Sequence, residues 1–216
     1  MKVLVTAFEP FGGQEVNASW LAASALPDVV AGASVARLCL PCVFGAAGDA
    51  AVAAVDRLAP DIVIACGEHR GSAGLAIERV ALNVASTDVS VPDEAGQVPV
   101  EEPLAADGPG ALVAALPLEG CVRAAQEAGI PAHLSCSAGL YVCNSVMFAL
   151  LDHRRARMEA GLCAPAMAGF VHVPATPVQA CRGILSEPWP SMETERAAAG
   201  LVAVLEACVA RLDAGR

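Results

Sequence analysis

Cysteine, histidine and glutamate are the side chains in this chain whose types and surroundings could support covalent catalysis. Cys143 lies in Ser137-Ala-Gly-Leu-Tyr-Val-Cys-Asn-Ser-Val-Met-Phe-Ala-Leu-Leu151. The small residues Ser137 to Gly139 predict a tight turn. The recurrence of Val146, Met147 and Leu150, with Leu151 beside them, predicts a helix from about Asn144. Cys143 then sits at or just before a helix's first turn, where unpaired N–H groups and the positive end of the helix dipole converge. Such a position lowers a thiol's pKa and supplies donors for an oxyanion. On residue type alone, Cys143 reads rather as one more small apolar core residue, the usual fate of a free cysteine.

A thiol nucleophile needs a base to take its proton and a third group to orient that base. Four histidines are available. His153, in Asp152-His-Arg-Arg155, suits a helix C-terminus. His133 lies at a strand start and His69 in a glycine-spaced segment. His172 stands inside the apolar strand Phe170-Val-His-Val173, just before a proline, where a hydrogen-bonded core histidine and a catalytic base are both possible. Glu78, next to Arg79, reads as half of an ion pair or as the carboxylate partner of a base. The segment Gly67-Glu-His-Arg-Gly-Ser-Ala-Gly74 follows a predicted strand, where open α/β sheets place ligands. It matches no dinucleotide or P-loop pattern, which excludes phosphate binding of those kinds. Cys39-Leu-Pro-Cys42 has the spacing of a redox or zinc pair. However, no helix opens directly after it, and no second ligand pair of matching spacing exists.

The elements that must position these groups are those of an α/β chain. Predicted strands at 2–6, 34–40, 62–66, 76–84, 132–135 and 168–173 alternate with helices. The helices run from Asn17 to about Ala25, from Asp49 to about Leu58, over 118–128, from Asn144, and from near Ser191. Residues 86–110, rich in Pro, Gly and acids, read as a long surface excursion. The expectation is a single domain over residues 1–216, a three-layer α/β/α sandwich around a mixed, mostly parallel sheet. Hydrophobic residues make up 56% of the 216 and aromatics 4%, so Ala, Val and Leu must build the core. Thirteen basic against 23 acidic residues give a net charge of −10, which argues against nucleic acid and anionic membranes. No uncharged apolar run approaches the ~20 residues of a membrane span. Met1-Lys2-Val3 runs straight into a strand, and nine cysteines, an odd number, sit mostly in apolar runs. These features point to a soluble, cytoplasmic chain with reduced thiols.

Five segments together resemble the pyroglutamyl peptidase type I (pyrrolidone-carboxylate peptidase) family. They are Val3-Leu-Val-Thr-Ala-Phe-Glu-Pro-Phe-Gly-Gly13 with Asn17, Leu40-Pro-Cys-Val-Phe-Gly45, Ile77-Glu-Arg-Val-Ala-Leu-Asn83, Ser137-Ala-Gly-Leu-Tyr-Val-Cys-Asn144, and Gly169-Phe-Val-His-Val-Pro174. They occur in the family's order and span nearly the whole chain. The resemblance implies hydrolysis of the bond after an N-terminal 5-oxoproline through a thioester, with Cys143 as nucleophile, His172 as base and Glu78 as third member. It places Phe8 and Phe11 around the lactam ring and Glu68 and Val91 at substrate-binding positions. It implies no metal, no cofactor, and a homo-oligomer, a dimer or tetramer. Two segments depart from the family's pattern. Gly67-Glu-His-Arg-Gly-Ser72 stands where relatives read G-Q-A-G-G-R, and Asp88-Val-Ser-Val-Pro-Asp93 where they read D-A-R-I-P-D, so Ser72 and Ser90 replace arginines. A divergent or catalytically silent relative that binds a cyclic amide or a peptide N-terminus therefore stands as the alternative. A thiol–disulfide protein using Cys39 and Cys42 is a third reading.

Overall fold

The computed structural model describes residues 1–181 and 189–215. Seven strands form one sheet: β1 (Lys2–Phe8), β2 (Val29–Val30), β3 (Ala33–Leu40), β4 (Ile62–His69), β5 (Leu75–Glu78), β8 (Ala132–Ser135) and β9 (Met167–Pro174). Their order across the sheet is β2-β3-β1-β4-β9-β5-β8. Strands β3, β1, β4 and β9 are parallel neighbours, β2 is antiparallel to β3, and β5 is antiparallel to β9 and parallel to β8. The sheet is thus mixed and mostly parallel, as expected. A separate two-stranded ribbon pairs β6 (Val80–Leu82) with β7 (Ala111–Val113).

Strand alternation decides which side chains meet which helices. Val3, Val5, Ile62, Ile64, Cys66, Leu75, Ile77, Val171 and Val173 face one way, into a core shared with α1 (Ala18–Ser24), α3 (Leu118–Glu127) and α6 (Thr194–Asp213). Leu4, Phe8, Val63, Ala65 and Phe170 face the other way, against α2 (Ala46–Leu58) and α4 (Val142–Glu159). Both faces are covered, which is why β1, β4 and β9 read as near-continuous apolar runs rather than alternating ones. The many alanines on α1, α2 and α6 let these helices lie close to the sheet with few aromatics between.

Several boundaries differ from the sequence expectation. Strand β4 continues three residues past Cys66, because Gly67, Glu68 and His69 pair with His172, Val173 and Pro174 of β9. The predicted strand over 76–84 is two strands: β5 joins the main sheet, and beyond Arg79 the chain leaves it as β6. Helix α2 opens at Ala46 rather than Asp49, and α6 at Thr194 rather than near Ser191. The short elements β2, β7 and α5 (Pro177–Cys181) were not expected. Asn17 caps α1 as anticipated, its Oδ1 accepting from Ser19 N at 2.9 Å. The excursion after β6 carries only an isolated bridge, Ala85 with Glu102, yet it is tied down. The buried Asp93 carboxylate accepts from the backbone N–H groups of Phe44, Ala95 and Gln97.

Candidate active site

At the carboxyl ends of β1, β4 and β9 lies a cavity of about 320 Å³. Phe8, Phe11, Asn17, Cys42, Glu68, His69 and Tyr141 line it, together with Cys143, His172 and the turn Ser137–Gly139. The strand register explains the gathering. Gly67 pairs with His172, Ala76 with His172, and Glu78 with Phe170, so these positions share the face that packs on α4. His172 Nδ1 and Glu78 Oε1 are 2.8 Å apart, both side chains almost wholly buried. With Nδ1 engaged, Nε2 is the ring nitrogen left for chemistry. The His172 ring is held from the other side by Phe170, its centroid 4.8 Å away.

Cys143 is the second residue of α4, which starts at Val142, two residues before the expected Asn144, and is half-buried. The helix start is anchored by Asn144, whose Oδ1 accepts from Leu82 N and whose Nδ2 donates to the carbonyls of Leu82 and Val84. Those bonds fix the nucleophile candidate relative to the strand that follows Glu78. The expected lowering of the thiol pKa is not found. Burial pushes the Cys143 thiol up, with Cys42, Glu78 and Glu68 adding to the effect, and its own backbone N–H only partly offsets them. The helix start supplies donors, but burial disfavours the charged thiolate in the unliganded cavity. Gly67 makes the room for it. A Cβ there would lie 2.8 Å from Cys143 Sγ and 2.8 Å from Phe170 Cζ, so at least one of these side chains would have to shift.

Glu68 forms part of the wall, but its carboxylate is sealed from solvent and turned under α1. Oε2 accepts from Ala18 N at 2.8 Å and from Gln179 Nε2 at 2.7 Å, and Oε1 from Arg70 Nε at 3.0 Å. Position 68 follows the α1 face because it is one residue on from Gly67 in the same strand. Arg70 therefore neutralises Glu68, and its guanidinium also lies 5.0 Å from the centroid of Phe11 and 5.6 Å from that of Trp189. Glu68→Gln is expected to oppose an amide N–H₂ to one of these three donors, costing roughly 1–3 kcal/mol of stability. Chemical denaturation checks this, and an unchanged midpoint would refute the arrangement.

One substrate-binding expectation is corrected. Val91 does not line the cavity: it is 50% exposed, in a turn closed by its own N–H to Asp88 O, with Ser90 and Thr87 completing the bonds. The turn closes on itself and points its apolar side chain outward; the contact with the cavity is made instead by Pro92, whose carbonyl accepts from Tyr141 Oη at 3.0 Å. Ser72 and Ser90, the replacements for arginine, are likewise absent from the wall, and their hydroxyls are satisfied locally by Gly74 O and Asp88 Oδ1. Phe8 and Phe11 both line the cavity, Phe8 buried against Phe170 and Phe11 nearer the edge against Tyr141. The Cys39–Cys42 pair does not look like a redox centre. Burial raises the Cys39 thiol to about 11 and the Cys42 thiol to about 12, the reverse of an activated cysteine. Among the described residues, no group of three or more His, Cys, Asp and Glu side chains is arranged to hold a metal.

A sequence profile described as pyroglutamyl peptidase matches residues 1–211. The chain belongs to the pyroglutamyl peptidase family. A pyrrolidone-carboxylate peptidase of Cupriavidus taiwanensis is 43% identical over 213 residues, 98% of this chain and 94% of that one. One from Erwinia tasmaniensis is 45% identical over 180 residues, 83% of this chain and 80% of the relative. The crystal structure of pyrrolidone carboxyl peptidase from the hyperthermophile Pyrococcus furiosus is 36% identical, with a TM-score of 0.90. The likeness covers 98% of this chain and 100% of that one. Membership in the pyroglutamyl peptidase family thus extends over the sheet, both helical layers and every wall residue of the cavity.

Proposed function

We propose that this chain is a cysteine exopeptidase that hydrolyses the bond after an N-terminal pyroglutamyl residue, with Cys143 as nucleophile, His172 as general base and acid, and Glu78 as the orienting carboxylate. The observation that carries the reading is the 2.8 Å Glu78–His172 contact, on one cavity with Cys143, in a member of this family. Glu78 holds the proton on Nδ1, so Nε2 receives the thiol proton as Sγ attacks the scissile carbonyl carbon. Because burial disfavours the free thiolate, transfer of the thiol proton to Nε2 accompanies the attack. The oxyanion accepts from N–H groups of the first turn of α4, which have no acceptor within the helix. The imidazolium then protonates the departing amine, leaving a thioester on Cys143. Water, losing its proton to His172, attacks that thioester and releases 5-oxoproline with the thiol restored.

The lactam ring is flat and largely apolar on its faces, which suits the wall built from Phe8 and Phe11. Release of amine from a chromogenic pyroglutamyl amide tests the reading; no turnover at any pH between 6 and 9 would favour a silent, ligand-binding relative. Gly67→Ala is expected to lower kcat at least ~100-fold, since the added methyl displaces Sγ from its attack position. Normal kcat in that variant would show that Sγ is not constrained there. The reading extends to one domain, a homo-oligomer, and a reducing cytoplasmic setting. Nine cysteines without a disulfide support the last, and the exposed Val113 and Met158 beside a hollow lined by Leu112 and Leu151 support the oligomer, for which light scattering is the test.

A further inference from the structure

His69 lines the cavity. It is two residues on from Gly67 in β4, so strand alternation directs it to the Cys143 side of the sheet. Its ring centroid is 5.4 Å from that of His172. The polar side chains around it are already committed. Asn17 donates to Glu9 O and accepts from Ser19, and the Glu68 carboxylate serves Ala18, Gln179 and Arg70. Tyr141 donates to Pro92 O, Cys42 is engaged with Tyr141, and Ser137 Oγ accepts from Gly139 N. Among the described residues, none hydrogen-bonds the His69 ring. It is also exposed, at the mouth, whereas Phe8 forms the buried inner wall.

A pyroglutamyl ring seated against the inner wall, with its carbonyl at Cys143, sends the rest of the peptide outward past His172 and so past His69. Beyond the scissile N–H, the next hydrogen-bonding group on that outgoing chain is the carbonyl of the residue being released. We propose that an N–H of the His69 ring donates to this carbonyl, making His69 a specificity residue that favours peptide leaving groups over amines lacking a carbonyl. This rests on the proposed reaction. The inner edge of the ring lies against the cavity wall, and this partial desolvation, then the neighbouring His172, lower the His69 pKa, with Glu78 opposing, which favours the neutral ring with one donor nitrogen. A neutral donor leaves the imidazolium of His172 free of a like charge while the amine departs.

The test compares pyroglutamyl-alaninamide with pyroglutamyl isopropylamide, which replaces the alaninamide carboxamide by a methyl group. The wild-type protein is expected to favour the first in kcat/KM, and His69→Ala to reduce that preference about tenfold. His69→Gln, which keeps an N–H donor, is expected to recover most of it. Thermal unfolding of both variants shows that they fold. A preference unchanged in His69→Ala, or equal losses on both substrates, overturns the proposal. If the wild-type protein turns over neither amide, it is the reaction reading that fails.

Discussion

Cys143→Ala is expected to abolish turnover of pyroglutamyl amides, by ~10⁴-fold or more, while unfolding at nearly the same temperature as the wild type. The physical reason is that the cavity holds no substitute. Cys42 is the other thiol on the wall, but it is buried, hydrogen-bonded with Tyr141 and pushed up to about 12, so its thiolate is scarce at neutral pH. Serine at position 143 offers an alkoxide precursor still harder to ionise, and it is expected to fail similarly. Stability changes little, under about 1 kcal/mol, because a half-buried side chain loses one atom. Alkylation provides an independent reading. Cys136, Cys163 and Cys181 are exposed and are expected to react with iodoacetamide without loss of rate. Inactivation is expected to follow the modification of Cys143 alone, as peptide mapping by mass spectrometry would show. Substantial turnover in Cys143→Ala would end the assignment.

His172→Ala is expected to cost ~10³–10⁴-fold in kcat and, unlike Cys143→Ala, to destabilise the fold by about 3–5 kcal/mol. Glu78 explains the second effect. Its side chain is 1% exposed, its Oε1 is held by His172, and its Oε2 has no partner among the described residues. Removing the imidazole strands a buried carboxylate, and it also takes away the ring packed on Phe170. The double variant His172→Ala/Glu78→Gln is therefore expected to be more stable than His172→Ala alone, yet equally inactive. Denaturant midpoints and single-turnover rates separate the two effects. A double variant no more stable than the single one would show that the stranded charge is not the cause. Glu78→Gln alone keeps an acceptor for Nδ1 and is expected to lose less activity than His172→Ala.

The sequence made legible whatever depends on apolar runs and on short local motifs. β1, β9 and the helix carrying Cys143 are each marked by such a run, and Asn17 marks its own cap. What stayed hidden depends on partners distant in the chain. Gly67-Glu-His looks like loop because glycine and charge disfavour strand, but pairing with β9 overrides that preference. Had β4 been read to His69, alternation alone would have turned Glu68 toward α1 and His69 toward the cavity. The thiol's environment was equally hidden, because a helix start is visible in sequence whereas the burial and the neighbours Cys42, Glu68 and Glu78 that raise the thiol's pKa are brought together only by the fold. The Val91 position failed for a related reason: a motif match carries a residue's identity, but the turn from Asp88 to Val91 decides where it points.

The position of β9 has a consequence for how the protein comes into being. Among the described residues β9, residues 167–174, comes last of the strands in sequence, but it lies between β4 and β5 and joins the two halves of the sheet. Until it emerges, β1 to β4 form a ribbon ending in the bare edge of β4, and β5 with β8 a second piece ending in its own bare edge. Glu78 waits on one piece and the Gly67 notch on the other, with His172 still unmade. A ribosome-bound chain short of Pro174 accordingly has no assembled cavity, and its two open edges invite pairing with other chains. Insertion of one central strand then closes both edges and brings the imidazole to its carboxylate in a single step. Competence for cleavage is thus gained all at once, and only after Pro174 has been added.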